Sequence, residues 1–373
     1  MLYRKFFSNT YKNLIYRIFK FFYGKINSII EPKDDTEIEE KKIKINSSEY
    51  KVFFCKNSSL YTDRIHDAAV IKDNKIIEGP SFQLRDNIYD DCKSSIVFTR
   101  GTPRIRKNLS GSVLSLLTGG GGNSNYWHWL LDVLPRLEIF KHTNNNKKEI
   151  DYYLFPSLEK NFQTETLDIL DIPHKKRLSS KSYRHIKSDE IITTTHPYTF
   201  LNDPLADSLY IPTWIFDFLR QVFLKKINLR ITEKKRYSNK IFINRKDGTG
   251  WRYIINENEV EKNLISQGFQ SLTLSKLSFI EQVKIFNSAE TVVGLHGAGF
   301  ANLVFCKPGT KVLELKSKTA GDAIKTLAIN NKLIYKDISL EPKTINWNNQ
   351  AGDIEIDLKI LNKSLKEFNN VAI

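Results

Sequence analysis

Residues 291–315 read TVVGLHGAGFANLVFCKPGTKVLEL, in which two apolar strand patterns flank a glycine-rich turn. A β-branched apolar run predicts a buried strand that enters the glycine-rich turn 294–299. A short helix is predicted over 300–305, then a turn at 307–309 and a second buried strand over 311–315. This order is the building block of a parallel sheet, whose strands bind ligands at their carboxyl ends.

The turn 294–299 offers a place for an anion. Glycines let backbone N–H groups approach a ligand, and a helix N-terminus adds a partial positive charge. His296 supplies a further donor. The alternative is a tight turn whose glycines serve packing alone. The spacing is not that of a dinucleotide-binding fingerprint, and the chain contains no GxxxxGK[ST] phosphate loop.

The second half of the chain alternates between strand and helix patterns. Strands are predicted over 240–244, 270–274 and 332–338, and helices over 256–267 (with Asn256 as a cap), 278–289 and 320–329. This order predicts a parallel Rossmann-like sheet. Arg245 and His296 then fall at the same edge, with Arg252 in the following loop, 246–253. The Arg245 guanidinium suits a phosphate, although a surface ion pair is the alternative.

The first half reads as an α/β domain with a β-rich start. Residues 43–99 predict short strands with a hairpin turn at Asp73–Asn74, and strands follow at 151–156 and 190–195, with a helix over 158–170 between them. The turn 202–204 is a candidate boundary, and a helix over 214–223 follows it. We therefore predict an N-terminal domain over 43–205 and a C-terminal domain over 206–373.

A helix in the N-terminal domain carries the second candidate site. An apolar strand at 113–117 runs into four glycines (119–122) and then NYWHWLLDVLPRL at 125–137. Residue 123, 124 or Asn125 caps the helix. His128, Asp132 and Arg136 lie four residues apart and share a face, where a carboxylate orients an imidazole as a general base. The alternative is a capped core helix with a surface ion pair. Pro135 is expected to kink or end the helix.

Residues 1–42 differ from the rest of the chain. Aromatic and aliphatic residues alternate with basic ones over 1–30, and no apolar run approaches the length of a membrane span or a signal-peptide core. This pattern favours a basic amphipathic helix that lies on an anionic membrane. The alternative is a helix that docks on the protein's own core. Residues 31–42 are highly charged and predict a linker.

Charge and cysteine content narrow the functional classes. The 57 Lys and Arg residues exceed the 42 Asp and Glu residues, so the net charge is +15 and anionic partners are expected. Three widely spaced cysteines indicate neither a disulfide framework nor a zinc site, and they favour a reducing compartment. The charge alone suggests a nucleic-acid binder, but no recognition motif accompanies it.

Three motifs, read in order, resemble glycosyltransferase family 61, the capsular-polysaccharide and plant-xylosyltransferase-like group. They are NYWHWLLDVLPRL at 125–137, KIFINRKDGTGWRYIINENEV at 240–260 and VVGLHGAGFANLVFCKPGTKVLEL at 292–315. The resemblance covers about residues 45–365. It implies a GT-B fold, in which two Rossmann-like domains face a cleft, and inverting transfer from a nucleotide sugar to a glycan or lipid-linked glycan.

The resemblance also implies roles for individual residues. His128 is the expected base, alone or together with Asp132, and Asn125 and Arg136 lie on the acceptor side. The donor side consists of Arg245, Arg252, His296, Gly297, Ala298, Gly299, Asn302 and Glu314, with Glu314 near the nucleoside. We expect no metal or other cofactor, since the donor half has no Asp-x-Asp motif. Secretory members of the family begin with a membrane anchor that this sequence lacks, so we expect a bacterial-type cytoplasmic enzyme on the inner membrane face.

Two other functions fit the same motifs. A polysaccharide pyruvyl transferase would need basic residues and a glycine-rich loop for phosphoenolpyruvate. A non-catalytic nucleotide- or carbohydrate-binding module would tolerate the loss of His128.

Overall fold

A computed structural model describes residues 2–64, 67–85, 88–90, 92–118, 124–143, 149–200, 209–228, 237–248, 252–344 and 352–369. The chain divides into two compact units, Met1–Pro197 and Tyr198–Ile373. The boundary predicted between residues 205 and 206, and the turn predicted at 202–204, lie outside the described residues.

The N-terminal unit is built on one large mixed sheet. Its strands within the described ranges are β1 (Ser28–Ile30), β2 (Ile38–Ile45), β3 (Ser48–Lys56), β4 (Ser59–Thr62), β5 (Asp67–Lys72), β6 (Lys75–Ile77), β7 (Phe82–Arg85), β8 (Ile88–Asp90), β9 (Lys107–Ser115), β10 (Tyr152–Phe155), β11 (Arg177–Ser179) and β12 (His185–Thr194). The hairpin predicted at Asp73–Asn74 is confirmed, since both residues have positive φ and β5 pairs antiparallel with β6. Residues 38–42, expected in a linker, instead belong to β2, which pairs with β3.

Four strands of this sheet are parallel and lie in the order β12–β9–β10–β11. From β9 the chain steps to β10 and β11 on one side, and it then returns to place β12 on the other side. The connections therefore diverge between β9 and β12, which makes this pair the switch point of the parallel part. Ligands of open α/β sheets bind at such a point, beyond the carboxyl ends of the strands.

The C-terminal unit contains the predicted parallel sheet. Its strands are β13 (Thr199–Phe200) and β14 (Leu209–Tyr210), which form a small antiparallel pair, and β15 (Lys240–Ile243), β16 (Gln270–Leu272), β17 (Thr291–Leu295), β18 (Lys311–Ser317) and β19 (Ile334–Leu340). The last five run parallel in the order β16–β15–β17–β18–β19. This is a Rossmann-like α/β arrangement, and its switch point lies between β15 and β17.

The helices are α1 (Leu2–Tyr23), α2 (Val97–Arg100), α3 (Tyr126–His128), α4 (Pro135–Lys141), α5 (Asn161–Ile169), α6 (Thr213–Asn228), α7 (Glu257–Ser266), α8 (Phe279–Ser288), α9 (Ala323–Asn330) and α10 (Leu358–Asn369). Of these, α7, α8 and α9 confirm the alternation predicted for the second half of the chain, whereas α2 begins within residues 43–99, where strands were predicted. Short 3-10 helices cover Pro32–Asp34, Cys92–Ser94, His174–Lys176, Leu274–Lys276 and Ala298–Phe305. None of the helices in the described ranges combines the length and the apolar character that a bilayer crossing requires.

Apolar packing holds the C-terminal sheet. Phe242, Val293 and Leu313 are fully buried and share one cluster with residues of α7 and α10. Fully burying an aromatic or aliphatic side chain of this size stabilises a fold by about 1.5–3 kcal/mol. The carboxyl ends of β15 and β17 are thus fixed by the core beneath them.

The short helix predicted over 300–305 is confirmed, and it is a 3-10 helix that spans Ala298–Phe305. Asn256 occupies the cap position of α7, but its side chain makes no capping hydrogen bond. Its amide instead pairs with the backbone N–H and C=O of Ile356, which ties the start of α7 to the chain that leads into α10.

The helix that carries the second candidate site continues past its proline. A π-helical turn at Trp129–Val133 joins α3 to α4, and Leu134 N donates to Trp129 O at 3.1 Å. Pro135 then occupies the first position of α4, where proline is well tolerated because the N–H groups of a first helical turn have no partner within the helix. Such π turns are frequent at functional sites.

Candidate functional site

His128 and Asp132 lie just beyond the carboxyl end of β9. Asn125 accepts a hydrogen bond from Trp127 N at 2.9 Å and so caps α3, as predicted. One turn later His128 Nδ1 lies 2.6 Å from Asp132 Oδ2. The carboxylate is fully buried, whereas 22% of the histidine side chain is exposed. Because Nδ1 is bound to the carboxylate, Nε2 is the nitrogen that an incoming group would meet.

A second histidine, which was not among the predicted site residues, contacts the same carboxylate. His196 lies two residues beyond the end of β12, and its Nε2 lies 3.6 Å from Asp132 Oδ2. The parallel pairing of β9 with β12 brings the two strand ends together at the switch point. The position of His196 at the end of the predicted strand 190–195 was the available signal.

The neighbours of these groups set their protonation. Burial lowers the pKa of His128, but the charge and hydrogen bond of Asp132 outweigh it, so the pKa lies above its usual range. Burial raises the pKa of Asp132, but His128 and His196 reverse this effect and hold it well below its usual range. The carboxylate is therefore charged, and it strengthens His128 as a proton acceptor.

Arg136 has a supporting position. Its side chain is fully buried, and Nη1 donates to Thr194 O at 2.9 Å and to Thr194 Oγ1 at 3.3 Å. The helix that carries His128 is thereby tied to the end of β12, two residues before His196. The predicted role of Arg136 on the acceptor side stays a prediction, as does that of the exposed Asn125.

In the C-terminal unit, Arg245 lies where the sheet topology predicts. It follows β15, and its Nη1 approaches Gly297, where an added Cβ would lie only 3.1 Å away. An added Cβ at Gly248 would lie 3.3 Å from Arg245 Nε. The two glycines therefore leave room for the guanidinium against the turn after β17. Gly297, Ala298 and Gly299 of this turn are each half-buried.

Arg252 completes a pair of neighbouring cations. Burial and the nearby Arg245 lower the pKa of Arg252 to about 10, and Glu314 opposes this effect. Arg245 Nε and Arg252 Nε and Nη1 are buried and have no hydrogen-bond partner among the described residues. Two adjacent arginines with such donors suit an anion with several oxygens.

The second imidazole–carboxylate pair spans two adjacent strands. His296 follows β17, and its Nδ1 contacts Oε1 of Glu314 on β18. Tyr335 on β19, which the sequence analysis missed, donates to Glu314 Oε2 at 2.5 Å. Burial and the Glu314 carboxylate raise the pKa of Tyr335, so it stays a donor. Both oxygens of the fully buried Glu314 are thus engaged, and its predicted contact with a nucleoside stays a prediction.

Asn302 and Gly299 support the turn from beneath. Asn302 is fully buried, and its Nδ2 donates to Gln282 Oε1 at 3.0 Å and to Gly299 O at 3.2 Å. A Cβ at Gly299 would lie 2.7 Å from Leu274 Cδ1, so close packing also favours glycine there. The predicted contact of Asn302 with a donor is untested, and its hydrogen bonds give it a part in holding the turn.

Parts of the predicted site lie outside the described residues, namely the four glycines at 119–122, residue 123, and residues 249 and 250 of the loop after β15. Within the part of the chain that is described, no three His, Cys, Asp or Glu side chains are grouped so as to hold a metal ion.

The two clusters are suited to different chemistry. His128 with Asp132 is a proton acceptor, and Arg245, Arg252 and the glycine-rich turn are suited to an anionic group. The family model described as glycosyltransferase 61 matches residues 126–313, half of the chain, and this span includes both clusters except Glu314 and Tyr335. No curated protein gives a significant match. This protein belongs to glycosyltransferase family 61.

Proposed function

We propose that this protein is an inverting glycosyltransferase of cell-surface polysaccharide synthesis, which moves a sugar from a nucleotide sugar to a glycan or lipid-linked glycan. The observation that carries the proposal is the His128–Asp132 pair in a member of this family. A GT-B fold and independence of a metal are further parts of the proposal, and both rest on the family resemblance.

His128 acts as the base in this proposal. Nε2 removes the proton from an acceptor hydroxyl, while Asp132 holds Nδ1 and stabilises the imidazolium that forms. The acceptor oxygen attacks the anomeric carbon as the bond from that carbon to the nucleotide phosphate breaks. One base and a direct displacement invert the configuration at that carbon.

Arg245 and Arg252 bind the departing phosphates in this proposal. Negative charge grows on the leaving group as the sugar bond breaks, so fixed cations and backbone N–H groups stabilise the transition state. The buried guanidinium nitrogens that lack partners among the described residues support this role. His296, held by Glu314, adds a further donor beside the turn.

The cysteines support a cytoplasmic location, which is a further part of the proposal. Cys55, Cys92 and Cys306 are all free thiols and all buried. Unpaired cysteines are ordinary in a reducing compartment.

The first test is binding of UDP, GDP, CMP, TDP and phosphoenolpyruvate by calorimetry, with and without Mn²⁺. We expect one nucleotide to bind and Arg245→Ala to weaken it about 10- to 100-fold, the effect of losing charge-assisted hydrogen bonds. Lys246→Ala is the matched control, because this neighbouring cation is exposed and pairs with Glu261. Binding of phosphoenolpyruvate alone would indicate a pyruvyl transferase.

The second test concerns the reaction itself. With the nucleotide identified, the matching sugar donors are incubated with glycan acceptors, and NMR of the product gives the anomeric configuration. We expect inversion, and retention would contradict the single-base mechanism. Donor binding without turnover on any acceptor, together with unchanged properties of His128→Ala, would favour a binding module.

A further inference from the structure

Helix α1 packs against the rest of the N-terminal unit and leaves an apolar side exposed. From residue 11 onward, the half-buried residues Tyr16, Phe19, Lys20 and Tyr23 form one side. The opposite side recurs at helical spacing and consists of exposed apolar residues, namely Tyr11, Leu14, Ile18, Phe21 and Phe22. A helix on a protein surface normally buries its apolar stripe. Here the stripe faces solvent.

The inner side is held by specific contacts. Lys20 Nζ donates to Thr99 O at 2.6 Å, and Tyr23 Oη accepts from Arg106 N at 3.0 Å. The Tyr23 ring also meets the ring of His185 edge-to-face at 5.0 Å. These contacts fix the rotation of the last turns of α1, so the outward direction of the stripe follows from how the helix is anchored.

The exposed stripe is large. Phe21 is 85% exposed, Phe22 70% and Tyr11 65%. A neighbouring loop adds Ile105, which is 78% exposed and precedes the residue that binds Tyr23. A cluster of exposed apolar residues of this kind marks an interaction site, since single exposed apolar residues are common but clusters are not.

Positive charge borders the apolar stripe. Neither residues 11–27 nor residues 100–107 contain an acidic side chain. The exposed basic residues in these two segments are Lys12, Arg17, Lys25, Arg100, Arg104 and Lys107. Two copies of the surface placed face to face would bring these cations together, which disfavours self-association through it. A planar surface of anionic headgroups over an apolar interior matches both the stripe and its border.

We infer that the outer face of α1 and the loop tip at Ile105 form a docking surface for an anionic lipid bilayer. Phe21, Phe22 and Ile18 enter the boundary between headgroups and acyl chains, and the bordering cations bind phosphate headgroups. The inference is independent of the proposed transfer reaction. If both hold, the enzyme meets lipid-linked acceptors in the plane where they are anchored.

The test is flotation of the full-length protein with two kinds of vesicle, pure phosphatidylcholine and phosphatidylcholine mixed with phosphatidylglycerol. We expect binding to the mixed vesicles, weakened by added salt because headgroup attraction is screened. Replacing both phenylalanines (Phe21→Ser with Phe22→Ser) is expected to weaken binding at least about tenfold. Arg17→Glu should weaken binding to the mixed vesicles severalfold.

Matched controls separate docking from folding and from general charge. Leu14→Ser, at a position 55% exposed, is compared with Ile265→Ser, at a position 52% exposed on α7. Arg17→Glu is compared with Lys262→Glu, which makes the same change in net charge at another exposed site. Only the α1 variants should lose binding, with the melting temperature unchanged in all of them.

Three results would overturn the inference. They are no binding to mixed vesicles, equal loss in the control variants, and a lipid-free oligomer that the α1 variants dissociate. The last would identify the stripe as a contact between copies of the chain. Transfer to a soluble acceptor is measured in parallel, and its retention in the α1 variants distinguishes loss of docking from loss of the catalytic site.

Discussion

The two units of the chain each hold a buried carboxylate that binds an imidazole through Nδ1, and they do so in different ways. In the N-terminal unit His128 and Asp132 are one helical turn apart, and a second histidine approaches the carboxylate. In the C-terminal unit His296 and Glu314 lie on adjacent parallel strands, and a phenol donates to the carboxylate. The first pair lies near the switch point between β9 and β12, and His296 of the second pair follows β17, one of the two strands at the switch point of its sheet.

The neighbours of the two pairs separate their chemistry. The side chain of His128 is 22% exposed, that of His296 is 8% exposed, and only the second pair lies near two arginines with unpartnered nitrogens among the described residues. A carboxylate beside a partly exposed imidazole makes that imidazole a stronger base. A carboxylate beside arginines instead offsets their positive charge until an anion binds. The same kind of pair is therefore suited to proton removal in one unit and to anion binding in the other.

The largest expected effect comes from His128→Ala. Loss of a general base lowers kcat by about 10²- to 10⁴-fold, while the donor Kd should stay within about twofold because the donor residues are untouched. His142→Ala is the control, since His142 also has a glutamate one turn away but lies on the surface at the end of α4. Near-normal turnover of His128→Ala would move the role of base to Asp132.

Asp132→Asn tests the electrostatic half of the first pair. The carboxylate raises the pKa of His128, and the base works only when neutral, so wild-type activity is lost as the pH falls through that raised pKa. Without the charge the pKa of His128 falls, so the acid limb of kcat should move to lower pH while the plateau drops about 100-fold. An acid limb that stays in place would show that Asp132 does not control His128.

The sequence predicted what depends on short-range pattern. The helical spacing placed His128 beside Asp132, and the strand–turn pattern brought Arg245 to the turn that holds Gly297, as the structure confirms. The strand predicted at 190–195 was too short, because the first half of β12 alternates exposed residues such as Lys187 and Asp189 with buried ones. Only its second half carries a continuous buried run.

The sequence could not predict contacts that depend on strand order. His196 reaches Asp132 because β12 lies beside β9, and Tyr335 reaches Glu314 because β19 lies beside β18. Alternation of strands and helices predicts a parallel sheet but not which strands are neighbours. The sequence also left open which face of α1 is buried, since an amphipathic pattern alone does not specify it.

His296→Ala tests the role of the second pair, His296 and Glu314. It should raise the Kd of the nucleotide about tenfold, because a donor is lost and Oε1 of Glu314 loses its partner. At saturating donor, kcat should change by less than about threefold, and the acid limb should stay where it is in the wild type. Kinetics across pH with a varied donor concentration measure all three quantities. A large fall in kcat with unchanged Kd would mean that the two pairs share the chemistry.

The smallest expected effect belongs to His196→Gln, which tests how far the carboxylate depends on its second histidine. His196 helps to hold the pKa of Asp132 low, so its loss weakens the support that Asp132 gives to His128 without removing the base. We expect kcat to fall about threefold to tenfold, with donor affinity unchanged and the acid limb shifted slightly. His174→Gln, at a histidine whose side chain is 78% exposed, is the control. A fall as large as that of His128→Ala would make His196 an equal partner in proton removal, whereas no change would leave His128 and Asp132 sufficient by themselves.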